Sequence, residues 1–270
     1  MKIAIYGKNA FLEETLLGKG AQLALYGADF TSSRDFPDDA DILLCLGGDG
    51  TFLRALPLLG GRNVPVAGIN DGRLGFLTTA RLEECGNNWV EDLLQGRFSV
   101  EECSLVKVEC GCFPEGLYPY AVNEFSIQRK GPSVLEVYVT LDGNPLPTYW
   151  ADGIVVSTPT GSTAYNLSIG GPVVFPGSNV FVLTPIAPHN LNMRPIVLPD
   201  HSCLEVTFTA RDGSALATLD NRAVEVPSGT SFRISRGDHG FRYVNLSGRS
   251  FIAALRSKLL WGEDSRNRKN

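Results

Sequence analysis

The run LCLGGDGTFLRALPLL, Leu44 to Leu59, sets a single carboxylate, Asp49, among Gly47, Gly48 and Gly50, where an apolar strand pattern gives way to a helical one. Glycines at such a point let the backbone turn tightly and approach a ligand. The first amides of the helix that follows offer donors to a phosphate or a sugar hydroxyl. A negative side chain repels phosphate, so Asp49 needs a separate reason. It can share a divalent cation with phosphates, accept the proton of a hydroxyl attacking phosphorus, or cap the helix. A GxGxxG fingerprint would need glycine where Leu53 stands, and neither GxxxxGK[ST] nor GxSxG occurs.

Two further stretches carry polar groups where apolar ones are expected. In AVNEFSI, Asn123 and Glu124 interrupt a strand pattern. An amide suits an adenine edge and a carboxylate suits ribose hydroxyls, unless the pair simply faces water on an edge strand. ADGIVVSTPTGSTAYNLSIGGP, residues 151–172, reads as a turn at Asp152 and Gly153, then a buried strand from Ile154 to Ser157. A Pro-Thr-Gly turn and a short helix opening near Ser162 and Thr163 follow. Its hydroxyls and bare amides make a neutral, donor-rich surface for a dinucleotide, or a plain turn with a capped helix. Trp150, just before this block, can stack on a ligand ring or fill a core. His189, His201 and His239 lie far apart with no HExxH or CxxC companion, so a protein-held zinc has little support.

The elements that must position these groups fall into two textures. Residues 1–100 alternate short apolar runs (KIAIYG, AQLALYG, DILLCLG, VPVAGI) with helix-like segments, as expected of a doubly wound, Rossmann-like α/β domain. Residues 101–246 are short Val, Ile, Thr and aromatic runs broken by Gly, Pro, Asn and Asp, which predicts an all-β domain, a β-sandwich. Helical spacing resumes in SFIAALRSKLLWG, so residues 247–270 are expected to form a C-terminal helix and tail packing on the first domain.

With 270 residues, 43% of them hydrophobic, the chain can fill two moderate cores. Its net charge of -5 and lack of a basic cluster argue against nucleic acid and anionic membrane as partners. MKIAIYG enters a strand pattern directly, without signal-peptide anatomy, and no apolar run is long enough to span a bilayer. The six cysteines form no disulfide framework and are taken as reduced. The expectation is a cytoplasmic protein.

Five ordered blocks, GGDGTFLRA (47–55), NDGRLGFL (70–77), VNEFSI (122–127), ADGIVVSTPTGSTAYNLSIGGPVV (151–174) and RPIVLPD (194–200), closely resemble the NAD kinases. The resemblance implies transfer of the terminal phosphoryl group of ATP, or of polyphosphate, to the 2'-hydroxyl of the adenosine ribose of NAD, with Mg2+ accompanying the donor. It implies Asp49 as the catalytic carboxylate, Gly50 along the ribose and Arg54 toward donor phosphates. Phe76, Asn123, Glu124 and Trp150 would join the NAD site, with Asp152 on the nicotinamide side and Thr160 near adenine. Thr163, Ala164, Tyr165, Asn166, Leu167, Ser168, Ala187 and Asn221 complete the implied pocket. Family members are commonly homodimers or homotetramers built through the β domain, and that is expected here.

Two departures from the family pattern stand out. Trp150 occupies a position that is often basic, and Asp220, Asn221 and Arg222 stand where the family often has Asp-Gly-Gln. Other readings of the chain are a lipid or sugar kinase sharing the GGDG loop, or a dinucleotide-binding regulator without activity.

Overall fold

Runs that are apolar at every position become parallel strands covered on both faces. The computed structural model describes residues 1–27, 32–72, 75–84, 89–246 and 250–259. The chain divides into two units, one of residues 1–101 with 242–270 and one of residues 102–241.

In the first unit, β1 (Lys2–Tyr6), β2 (Gln22–Gly27), β3 (Ile42–Leu46) and β4 (Val66–Asn70) lie in the order β2-β1-β3-β4, each pair parallel. Asn9 caps α1 (Ala10–Gly18), its side chain accepting the Leu12 amide at 2.9 Å. Leu12 and Leu16 on α1 join Ile3, Ile5, Leu44 and Ile69 in one apolar cluster. Each fully buried side chain of this size contributes about 1.5–3 kcal/mol.

The sheet continues past β4 with the strand Phe241–Asn245 and then Ser99–Cys103. The sequence pattern counts residues 241–246 with the β domain, whereas the chain re-enters the first unit at Arg242 and runs parallel to β4. Thr79 fastens this return: its hydroxyl donates to Asn245 at 3.2 Å and accepts the Leu246 amide at 2.8 Å. The helix Phe251–Leu259 belongs to the same unit and buries Leu255. Leu260 and the polar tail lie outside the described residues.

The second unit is two antiparallel sheets closed on one core. Strands such as Leu135–Leu141 and Leu204–Ala210 alternate buried and outward residues, the pattern of a sheet with one dry face. Val137, Phe208 and Phe232 from one sheet pack in a single cluster with Phe125, Ile154 and Ala217 from the other. The second sheet places the strands Glu124–Arg129, Gly153–Ser157 and Val180–Ile186 side by side, which brings the polar stretches of residues 122–124 and 157–168 to a common end.

Candidate active site

Gly47 ends β3 with φ +142°, a conformation open to glycine, and its amide donates to the Ile69 carbonyl of β4 at 2.8 Å. The helix α2 (Asp49–Ala55) starts there. Its N-cap is Gly48, and no side chain makes a cap bond. Asp49 is therefore not a helix cap. Its carboxylate turns instead to the segment after β4, where Oδ2 accepts the Phe76 amide at 2.9 Å and Oδ1 the Leu77 amide at 3.0 Å.

Gly75 makes room for this arrangement, since a Cβ there would lie 1.8 Å from Asp49 Oδ1. The segment is held from its other side by Thr78, whose hydroxyl accepts the Gly75 amide at 2.5 Å and faces the buried Asn70 amide at 3.5 Å. Residues 75–77 are thus the cradle of the aspartate. Phe76 is half-buried and contributes its backbone. Gly50 is exposed beside Asp49, and Arg54, one turn on, is exposed with Nη2 donating to Thr51 Oγ1 at 3.2 Å.

In the second unit the strand Glu124–Arg129 begins at the polar pair. Glu124 is pushed up to about 8 by burial first and by the neighbouring Asp220 carboxylate second, against an opposing contact from the Tyr165 backbone. Its Oε2 is buried with no hydrogen-bond partner, so it is a carboxyl awaiting something to bond. The Asn123 carbonyl accepts the Thr158 amide at 2.9 Å, and the Val122 carbonyl accepts the Thr158 hydroxyl at 2.5 Å. Gly161 lets the chain pass this point, since a Cβ would meet the Asn123 carbonyl oxygen at 2.0 Å.

The block 151–172 forms a bend at Asp152, the fully buried strand Gly153–Ser157, a 3-10 turn Thr160–Thr163 and a single helical turn Tyr165–Ser168. Thr160, Thr163, Ala164, Tyr165 and Leu167 are half-buried along it, and Ser168 is exposed at its end. Asn166 behaves differently from its neighbours. It is fully buried, with Nδ2 donating to the Ser162 and Pro172 carbonyls at 3.1 and 3.0 Å and Oδ1 accepting the Thr184 hydroxyl at 2.7 Å. Its amide pins the block internally and has no donor left for a ligand.

Asp152, with Arg129 and Tyr165, lines an open pocket of about 360 Å³. The substitution of Trp150 for a basic residue suggests a lost charge partner for Asp152, but the structure supplies one from the adjacent strand. Arg129 Nε lies 2.6 Å from Asp152 Oδ1 and its Nη2 donates to Oδ2 at 3.2 Å, a two-pronged pair that the sequence shows only as one arginine at a strand end. Tyr165 reaches toward Gln128 in the same pocket, 3.5 Å from hydroxyl to amide oxygen, and burial raises its phenol above the usual range. Trp150 lies outside this lining, on the outward side of the strand Tyr149–Ala151 and paired across the sheet with Glu136. Ala187 is exposed at φ +43°, so it is not a core residue.

Asn221 is exposed at the turn between the strands Ser214–Leu219 and Arg222–Pro227. Its neighbours Asp220 and Arg222 are the residues that sequence reasoning left without a role. Asp220 is almost wholly buried and accepts the Val122, Asn123 and Glu124 amides at 2.9, 2.7 and 3.3 Å. The sequence marks this turn only as a departure from the family pattern and does not show which backbone its acid meets.

Residues 31–98 match the ATP-NAD kinase N-terminal domain and residues 122–246 the ATP-NAD kinase C-terminal domain. The chain is 40% identical over 243 residues to the NAD kinase of Christiangramia forsetii, covering 88% of this chain and 82% of that one. It is 36% identical to the NAD kinase of Flavobacterium johnsoniae, covering 99% of this chain and all of the other. Among solved structures, the NAD kinase from Archaeoglobus fulgidus in complex with ATP shares 29% identity at a TM-score of 0.75, covering 90% of this chain and 93% of that one. Yeast NADH kinase complexed with NADH, 22% identical, shares the fold at a TM-score of 0.84 over 100% of this chain and 90% of that one. These likenesses do not favour the lipid-kinase, sugar-kinase or regulator readings. Both halves of the chain match in order, and the two relatives are covered over 82% and 100% of their length: the chain belongs to the NAD kinase family, enzymes that phosphorylate NAD.

Proposed function

We propose that this chain transfers the terminal phosphoryl group of ATP to the 2'-hydroxyl of the adenosine ribose of NAD, with Asp49 accepting the proton. The observation that carries the assignment is the Asp49 carboxylate held by two amides on a glycine-walled turn. Each carboxylate oxygen has two lone pairs and spends one on an amide. The remaining lone pairs are fixed in direction, which is what a general base needs.

In the step itself, the O2'–H proton passes to Asp49 as O2' bonds to the γ-phosphorus, and the bond from that phosphorus to the bridging oxygen breaks to release ADP. In this reading Arg54, one helical turn away, meets donor phosphates. Asn123 and Glu124 read the nucleoside, and the Asp152 pocket takes the nicotinamide end. Magnesium, when bound with ATP, neutralises donor charge. We assign magnesium to the nucleotide, as part of the donor substrate.

ATP as donor is supported by the ATP complex of the Archaeoglobus fulgidus relative. Purified protein with NAD, ATP and Mg2+ is expected to form NADP and ADP in equal amounts, and a panel exchanging ATP for polyphosphate and NAD for NADH defines the range. Folded protein that forms no NADP from any combination overturns the proposal. Among the described residues no helix is long and apolar enough to cross a membrane. We place the enzyme in the cytoplasm as a homodimer or homotetramer joined through its β-rich unit, and a monomeric mass by light scattering with full activity refutes that assembly.

A further inference from the structure

We propose that the hairpin turn Asp220–Arg222 is a positioning element for NAD: Asp220 fixes the backbone of residues 122–124, and Arg222 fixes the strand that enters it. Neither residue is assigned contact with substrate. The inference rests on Asn123 and Glu124 being the nucleoside-reading pair.

Asp220 sits at φ +51°, a left-handed conformation that costs a non-glycine residue about 1–2 kcal/mol and is tolerated best by Asn and Asp. That conformation lets one residue bond the opposite strand twice over. Its amide donates to the Glu124 carbonyl at 3.0 Å while its carboxylate accepts the Val122, Asn123 and Glu124 amides. Thr158 takes the carbonyls of Val122 and Asn123. The backbone of the pair is therefore consumed on both sides, and the Glu124 carboxyl is left with a buried, unpartnered oxygen. A loop restrained this way presents its side chains without paying ordering entropy when ligand arrives.

Arg222 extends the restraint upstream. Its guanidinium donates to the Tyr118 carbonyl at 2.6 Å and the Tyr120 carbonyl at 2.5 Å, and its Cζ lies 5.4 Å from the Tyr118 ring centroid. It also approaches the Asp220 carboxylate at 3.6 Å, offsetting a buried charge. A planar fork can reach two carbonyls at once from two different nitrogens, a span set by the rigid guanidinium. In this chain, residues 118–124 are bracketed from one turn.

The test compares Asp220→Asn, Arg222→Lys and Arg222→Gln with the wild type by calorimetric NAD binding, by KM and kcat for both substrates, and by melting temperature. Asp220→Asn is expected to weaken NAD binding and raise its KM by about tenfold or more, the effect of about one net hydrogen bond to a charged group. Turnover and the KM for ATP should stay within about threefold. Arg222→Lys retains the charge but not the fork, and should raise the KM for NAD less than Arg222→Gln does. Wild-type NAD affinity in all three variants overturns the proposal, as does a fall in turnover at unchanged KM. If Asp220→Asn fails to fold, the two Arg222 variants decide by the same criteria. Calorimetry needs no turnover, so a wild type that binds NAD without phosphorylating it refutes the kinase assignment alone.

Discussion

Oδ2 of Asp49 accepts the backbone amide of Phe76 at 2.9 Å, joining two residues 27 positions apart. The bond ties the loop after β3 to the loop after β4, at the carboxyl ends of neighbouring parallel strands, where open α/β sheets bind their ligands. It makes the orientation of the carboxylate a property of residues 75–77 as much as of GGDG. Several measurable outcomes depend on that dependence.

Asp49→Asn removes the base but keeps one acceptor oxygen. Turnover should fall by at least about a hundredfold, with NAD affinity little changed. The amide nitrogen must face one of the two backbone donors, so about 1 kcal/mol of stability is lost as well, a few degrees of melting temperature. Near-normal NADP formation would sink the catalytic assignment.

Gly75→Ala tests the cradle without touching the base. The added Cβ falls 1.8 Å from Asp49 Oδ1, so the carboxylate or the loop must shift by about an ångström. Displacements of that size cost up to about a hundredfold in rate, and we expect turnover to drop at least about tenfold. Wild-type kinetics from a folded Gly75→Ala protein would show that the carboxylate tolerates other positions.

Asn166→Asp separates pinning from ligand contact. The change aims a carboxylate at two carbonyls inside a dry site, at a cost on the order of 3 kcal/mol. Differential scanning calorimetry should show a large drop in melting temperature. A variant of unchanged stability with weakened NAD binding would instead make Asn166 a ligand residue.

Glu124 gives the pH prediction. Its folded pKa, about 8, lies above the ordinary value of 4.5, so between these limits the folded protein holds a proton that the unfolded chain has lost. Its contribution to stability therefore falls as pH rises from about 4.5 to 8 and is level beyond. Asp220 and Tyr165 are the titratable neighbours that bear on it. Glu124→Gln should remove the slope, so the variant gains in melting temperature relative to wild type as pH climbs through that window. Parallel curves for the two proteins would show that Glu124 does not carry the shift.

Fold class was legible in the sequence because it rests on local information, and function was legible through the family resemblance that five short blocks carry. Unbroken apolar runs are enough to predict doubly covered parallel strands, and alternating runs predict the two-sheet half. GGDGTFLRA, VNEFSI and STPTGSTAYNLS each keep their chemistry within a few residues, so type and spacing alone mark them. What spacing does not contain is the partner of each polar group. Asp49 reaches residues 76 and 77, Asp152 takes Arg129 rather than a neighbour two positions away, and Asp220 meets residues 122–124 across nearly a hundred positions. Those pairings follow from strand order and register, which long-range packing sets once the cores close. For the same reason Asn166, indistinguishable in sequence from the pocket residues around it, turned inward. Only the closed β-sandwich brought Thr184 within 2.7 Å of its amide oxygen.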